Sequence, residues 1–168
     1  FGLLMLYSSS NIWAEYKYND PYKYLKSQAI FLIIGYILMI IISKFPYQNY
    51  KKLANIIFLT CTIMLILVLI PGIGTVRNGS RSWFGIGSLG LQPSEFTKLG
   101  LIIFTSKYLA NNTKELKDIK KGVLPILSVL LLIFGLIMLE PDFGTGVVIV
   151  MTIIVLLFIS GVKMNFFI

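Results

Sequence analysis

Six apolar runs, separated by shorter polar intervals, account for most of this chain. They extend from Phe1 to about Trp13, then over roughly Leu25–Ser43, Leu53–Ile70, Phe96–Ala110, Val123–Leu139 and Phe143–Gly161. A helix that crosses a bilayer needs about 20 mostly apolar residues. The fourth run is short on its apolar count and reaches that length when Lys98 and Lys107 snorkel from its two ends. Open sheet edges cannot face lipid, so runs of this kind predict an all-α fold, a polytopic transmembrane helix bundle of about six spans. Residues 1–168 are read as a single transmembrane domain. The first run is too short to span and is expected to be the end of a truncated helix, so the chain reads as a piece of a longer protein. No basic leader or small-residue cleavage site marks a secretory signal peptide.

Charge sits in the polar intervals and gives them an orientation. The segments after the second, fourth and sixth runs hold Lys44, Lys51, Lys52, Lys107, Lys114, Lys117, Lys120, Lys121 and Lys163. Those after the first, third and fifth hold Lys17, Lys23, Lys26, Arg77 and Arg81. Nine basic residues against five place the first set in the cytoplasm. Residues 111–121 are then a cytoplasmic loop and residues 71–95 an outer loop, with the Glu140–Gly146 turn on the same outer side. Trp83, Phe84, Ile86 and Leu89 predict that the outer loop packs on the bundle, since burying each is worth about 1.5–3 kcal/mol.

Composition narrows the chemistry. The chain is 57% hydrophobic and 13% charged, with a mean hydropathy of +0.84. Charge at membrane depth is costly, and the places where it gathers are the default functional sites. The net charge of +8 is read as lysines beside an anionic leaflet, so no nucleic-acid partner is expected. Histidine is absent and Cys61 is the single cysteine, which removes His-based metal sites, Ser-His-Asp triads, Cys-His dyads and internal disulfides. Any catalysis within the segment must rest on carboxylates, basic residues, hydroxyls or a bound cation.

Candidate residues concentrate in PGIGTVRNGSRSWFGIGSLGLQPSEFTK, Pro71 to Lys98. Arg77 and Arg81 work against the orientation rule, and guanidinium is well shaped for phosphate oxygens. Trp83 and Phe84 belong either to an interfacial aromatic belt or to the wall of a groove for a lipid-borne substrate. Gln92 opens a Gln-Pro-Ser-Glu turn, and Glu95 and Lys98, three residues apart, share one helix face and can pair. Leu139-Glu140-Pro141-Asp142-Phe143 echoes Leu91-Gln92-Pro93-Ser94-Glu95-Phe96, each with a proline and acids opening a helix. For Asp142, helix initiation and a functional role both stay open. Gly85 to Gly90 formally matches a dinucleotide fingerprint but follows no β-α-β strand, and its glycines are better read as letting the loop fold back. Asn78-Gly79-Ser80 and Asn111-Asn112-Thr113 match a glycosylation acceptor, a triplet too common to argue from.

The string NGSRSWFGIGSLGLQPSEFTKLG, followed about 40 residues later by EPDFGTG, resembles the SEDS family (shape, elongation, division and sporulation), the FtsW/RodA/SpoVE proteins. The opening YSSSNIWA is similar to that family's first span and its exit, and the resemblance covers essentially the whole chain, with Lys98 three residues after Glu95. It implies a ten-span protein of the bacterial cytoplasmic membrane that polymerises lipid II into glycan strands beside a class B penicillin-binding transpeptidase. By position, Arg81, Glu95 and Lys98 match family residues lining an outer cavity, and Asp142 matches its Pro-Asp turn. Substrate contacts are therefore expected from Arg77, Arg81, Trp83, Gln92, Glu95, Lys98 and Asp142. The family's proposed catalytic aspartate lies in a large outer loop between later spans, so the base is expected beyond Ile168. A divalent cation (Mg or Mn) is compatible with this chemistry but assignable to no residue here. YSSS…WA, SRSWFGIG and EPDFGTG look closer to the division and sporulation members than to the elongation members.

Two other functions compete with glycosyl transfer. A lipid II flippase needs a polar path through the membrane, and the depth of this chain offers little beyond Asn55, Thr60, Thr62 and Thr152. A non-catalytic scaffold that recruits a transpeptidase has no need of the Arg81, Glu95 and Lys98 set.

Overall fold

A computed structural model describes residues 1–77, 79–86 and 89–162. Asn78, Gly87, Ser88 and Lys163, which entered the sequence reading, lie outside the described residues, as do the side chains of Arg77, Ile86, Leu89 and Lys117. The helices are α1 (Gly2–Tyr18), α2 (Lys23–Ser43), α3 (Tyr47–Leu69), α4 (Pro93–Asn111), α5 (Leu124–Leu139) and α6 (Phe143–Ile159). Three strands, β1 (Thr75–Arg77), β2 (Ser80–Ile86) and β3 (Leu89–Leu91), lie between α3 and α4. The chain divides into two compact units, Phe1–Tyr47 and Gln48–Ile168.

The first unit is a hairpin of α1 and α2. Helix α1 continues past Trp13, where its apolar run fades, and stops at Asn19, whose φ of 55° is left-handed. Asparagine tolerates that conformation, and its N–H bonds back to the Glu15 carbonyl at 2.9 Å. Tyr7 and Tyr22 stack at 5.3 Å, and Lys26 pairs with Asp20 at 2.9 Å. Helix α2 is apolar on every side and buries none of its residues, the pattern of a helix meant for lipid.

The second unit packs α3 to α6 around one apolar core. Helix α5 turns Ile126, Leu130, Ile133 and Ile137 inward, and α6 turns Gly146, Ile149, Ile153 and Leu157 inward, both at helical spacing. Gly146 has no room for a side chain: a Cβ there would stand 2.6 Å from Met138 Cε and 3.0 Å from Phe134 Cε2. Helices α3 and α4 run antiparallel. Thr97 Oγ1 donates to the Cys61 carbonyl at 3.3 Å, Phe58 stacks on Phe104 at 4.6 Å, and Lys107 donates to Asn55 Oδ1 at 3.0 Å.

Helix α2, helix α3 and the continuous stretch Ile119–Leu139 are long and apolar enough to cross a membrane, and α6 is apolar but shorter at 17 residues. Two polar intervals carry more regular structure than a loop. In the 71–95 interval the strands form an antiparallel sheet in the order β1-β2-β3. Thr75, Val76, Trp83 and Phe84 favour extended backbone, and Gly79, with a φ of 84°, turns β1 into β2. Gly74 admits no Cβ, which would fall 1.9 Å from the Val68 carbonyl oxygen. A short sheet with open edges cannot sit in hydrocarbon, so it belongs at an end of the bundle. Within 111–121, a 3-10 turn covers Glu115–Lys117 and a π-helical turn, Ile119–Val123, leads into α5. The Lys120 N–H bonds to Asp118 Oδ1 at 2.9 Å, which starts that turn.

Candidate functional site

Three elements of the second unit meet where the strands end and two helices begin: β2, the start of α4 and the α5–α6 turn. Asp142 links them. It caps α6 by accepting the Thr145 N–H at 3.1 Å on Oδ1. Its Oδ2 accepts the Thr145 hydroxyl at 2.7 Å and Gln92 Nε2 at 2.9 Å. A carboxylate at a helix N-terminus also meets the positive end of the dipole. The two proline turns that echo each other in sequence are thus tied by one side-chain bond.

Strand β2 is fixed to the same turn. The Ser80 hydroxyl donates to the backbone carbonyl of Glu140, and Ser82 Oγ, on a buried residue, lies 2.9 Å from Ser80 Oγ. Arg81 stands between these serines, half-buried, paired in register with Val76. It forms no ion pair with a described acid. Trp83 is half-buried on β2, and its carbonyl accepts the Thr75 hydroxyl at 2.9 Å. Arg77 closes β1, its side chain outside the described ones.

Pro93 occupies the first turn of α4, where its missing N–H costs nothing. One turn on, Lys98 Nζ meets Glu95 Oε1 at 2.8 Å, with the lysine 23% and the glutamate 54% exposed. The pair heads a groove of about 410 Å³ between α4 and α6, walled by Phe96, Leu99, Ile102, Val148 and Ile153. Gln92 and Asp142 are therefore brought together, as are Glu95 and Lys98. Arg81 does not line the groove.

One residue of this cluster was not singled out by the sequence. Glu140, which ends α5, is fully buried, and neither carboxyl oxygen has a hydrogen-bond partner among the described residues. Burial, and then the negative charge of Asp142 two residues on, push its pKa up to about 7. The C-terminus of α5 adds a partial negative charge to its surroundings. Ser94, in the first turn of α4, is also buried with its hydroxyl unpartnered among the described residues. Nothing in EPDFGTG distinguishes this glutamate from Glu95, because an enclosed carboxyl and an exposed one read alike.

A divalent cation does not fit these residues. Among the described residues no group of three or more His, Cys, Asp or Glu side chains is disposed to hold a metal. Asp142 has both oxygens engaged, and Glu140 is enclosed.

The fold and this site define a multi-pass helical membrane protein with a polar cluster at one end of its bundle. All of residues 1–168 match the FtsW/RodA/SpoVE family model, described as cell cycle protein, and the chain belongs to that family. It is 42% identical over 167 residues to stage V sporulation protein E of Bacillus subtilis, covering 99% of this chain and 46% of that protein. It is 36% identical over 166 residues to a probable peptidoglycan glycosyltransferase FtsW of Legionella pneumophila, covering 99% of this chain and 42% of the relative. A chain from a solved peptidoglycan synthase complex, in work on the coordination of polymerization and crosslinking, superposes with a TM-score of 0.77 at 28% identity. That match covers 99% of this chain and 49% of the solved one. The chain spans about half the length of the relatives it matches.

Proposed function

We propose that the protein carrying this chain is a peptidoglycan glycosyltransferase that polymerises lipid II at the outer face of the bacterial cytoplasmic membrane. A class B penicillin-binding transpeptidase is its partner. The observation that carries the reading is the groove between α4 and α6. Its head is an ion pair with a part-exposed lysine and its body is apolar, which suits an amphiphile with an anionic head and a lipid tail. The relative named a probable peptidoglycan glycosyltransferase and the peptidoglycan synthase complex support the chemical class and the partnership. In this reading the sheet and the α5–α6 turn face outward, and Asn111–Lys121 faces the cytoplasm.

Glycosyl transfer from a lipid diphosphate needs a base on the acceptor hydroxyl and stabilisation of the departing diphosphate. Lys98 and Arg81 serve the second need, with Glu95 orienting Lys98 and the Asp142–Gln92 bond fixing the start of α4. The base belongs to the part of the protein beyond Ile168. The placement of polar groups along the helices disfavours a flippase. Thr60, Thr62 and Thr152 each donate to a carbonyl of their own helix, Asn55 accepts from Lys107, and Asn55 and Thr60 are exposed rather than lining an interior path.

The test is polymerisation of lipid II by the purified full-length protein with its partner. Arg81→Ala and Lys98→Ala are each expected to lower the rate while the protein still reaches the membrane. Wild-type rates in both variants would overturn the assignment of these residues.

A further inference from the structure

The enclosed carboxyl of Glu140 is unexplained by substrate binding, because it reaches neither solvent nor the groove. Its backbone is nonetheless central. The Glu140 carbonyl accepts the Ser80 hydroxyl and so anchors the strand that presents Arg81. Two residues on, Asp142 holds Gln92 at the start of α4. A charged carboxylate in this place would have no donor among the described residues. Among the described side chains, the charged groups at this end of the elements packed around the turn are Arg81 on β2, Glu95 and Lys98 on α4, and Asp142 at the head of α6. Lys98 is committed to Glu95, and neither basic group bonds a Glu140 oxygen. A neutral carboxyl is tolerated in such a place far better than an ionised one.

We propose that Glu140 is a positioning residue that holds its proton while the α5–α6 turn is closed on β2, and that losing the proton loosens the turn and releases Arg81 and Asp142 from their set positions. The proposal rests on the reading of Arg81 and Lys98 as the diphosphate-binding side. It adds a protonation-dependent clamp to that reading. With the carboxyl raised from 4.5 to about 7, the closed turn loses stability as pH rises between those values, so the closed form is favoured on the acid side.

Three readouts on the full-length protein with its partner separate the possibilities, comparing wild type with Glu140→Gln at each pH from about 5 to about 9. Difference infrared spectroscopy should show a protonated-carboxyl band at acid pH that Glu140→Gln lacks. Amide exchange over residues 80–86 should match between the two proteins at acid pH and become about tenfold faster in wild type at alkaline pH. Comparison at equal pH cancels the intrinsic exchange rate. The ratio of the wild-type to the Glu140→Gln lipid II polymerisation rate should fall with rising pH, a comparison that cancels the titration of the catalytic base common to both. If Glu140→Gln does not fold, Glu140→Met supplies a neutral side chain of similar length. A missing band at acid pH, or an exchange ratio that does not change with pH, overturns the clamp. A changing ratio in a protein that polymerises nothing would keep the clamp and overturn the glycosyltransferase. A level ratio in an active enzyme would do the reverse.

Discussion

Gln92-Pro93-Ser94-Glu95 and Glu140-Pro141-Asp142 are near-copies in sequence with opposite electrostatics in the fold. In the first, Glu95 points outward, 54% exposed, and is neutralised by Lys98. In the second, Glu140 is fully buried and unpartnered, while its neighbour Asp142 takes the helix-capping role and reaches across to Gln92. A proline-acid turn thus specifies where a helix starts but not what its acid does. The position of the acid relative to the proline decides this. Glu95 follows the proline and lies on the helix surface, Asp142 follows it as the cap, and Glu140 precedes it on the last turn of a helix whose inner face is core.

The largest test of this contrast is pH. Glu140 has a folded pKa of about 7 against an ordinary 4.5, so the folded state binds the proton more tightly than the unfolded chain. Stability attributable to this group therefore falls as pH rises between those values, by about 3 kcal/mol in total. Denaturation of wild type and Glu140→Gln across that window should show the gap opening with pH.

Next in size is Asp142→Ala, which removes the α6 cap and strands the Gln92 amide. Loss of a cap and an unpaired half-buried donor together should cost about 2 kcal/mol. Thermal unfolding should show most of this recovered in Asp142→Asn, which keeps an oxygen for the Thr145 N–H.

A smaller effect is expected from Gly146→Ala, just below the cap. The added methyl meets Met138 Cε at 2.6 Å, the movable end of a flexible side chain, with the Phe134 ring at 3.0 Å behind it. Overpacking of about 1 kcal/mol should result, with Met138→Ala in the same chain relieving part of it.

Much of this fold was legible in the apolar runs, because a bilayer leaves helices as the economical answer to long hydrocarbon-soluble stretches. The boundaries erred where polar residues extend a helix. Helix α3 begins at Tyr47, six residues ahead of its apolar run at Leu53, and α4 begins at Pro93 rather than Phe96. The sheet was missed although TVR and SRSWFGI carry β-branched and aromatic residues, because the glycines between them read as loop punctuation. Of the site, Glu95 and Lys98 meet as their three-residue spacing allows. The Gln92–Asp142 bond spans 50 residues of sequence, and no local pattern predicts it. Burial of Glu140 depends on how α5, the turn and β2 close together, which composition does not encode.

The smallest stability effect falls on the residues with the largest proposed functional one. Glu95→Gln breaks an exposed pair and should change stability by less than about 1 kcal/mol. That separation makes a charge exchange the most direct test of the account. Glu95→Lys combined with Lys98→Glu keeps an ion pair at the same spacing but moves the cation by one turn, from the more enclosed to the more exposed position at the head of the groove. If Lys98 serves the diphosphate of a lipid-linked sugar, the exchanged full-length protein, purified with its partner and folded as stably as wild type, should polymerise lipid II about a hundredfold more slowly. A wild-type rate in that protein would make the pair a structural fastening and contradict the account.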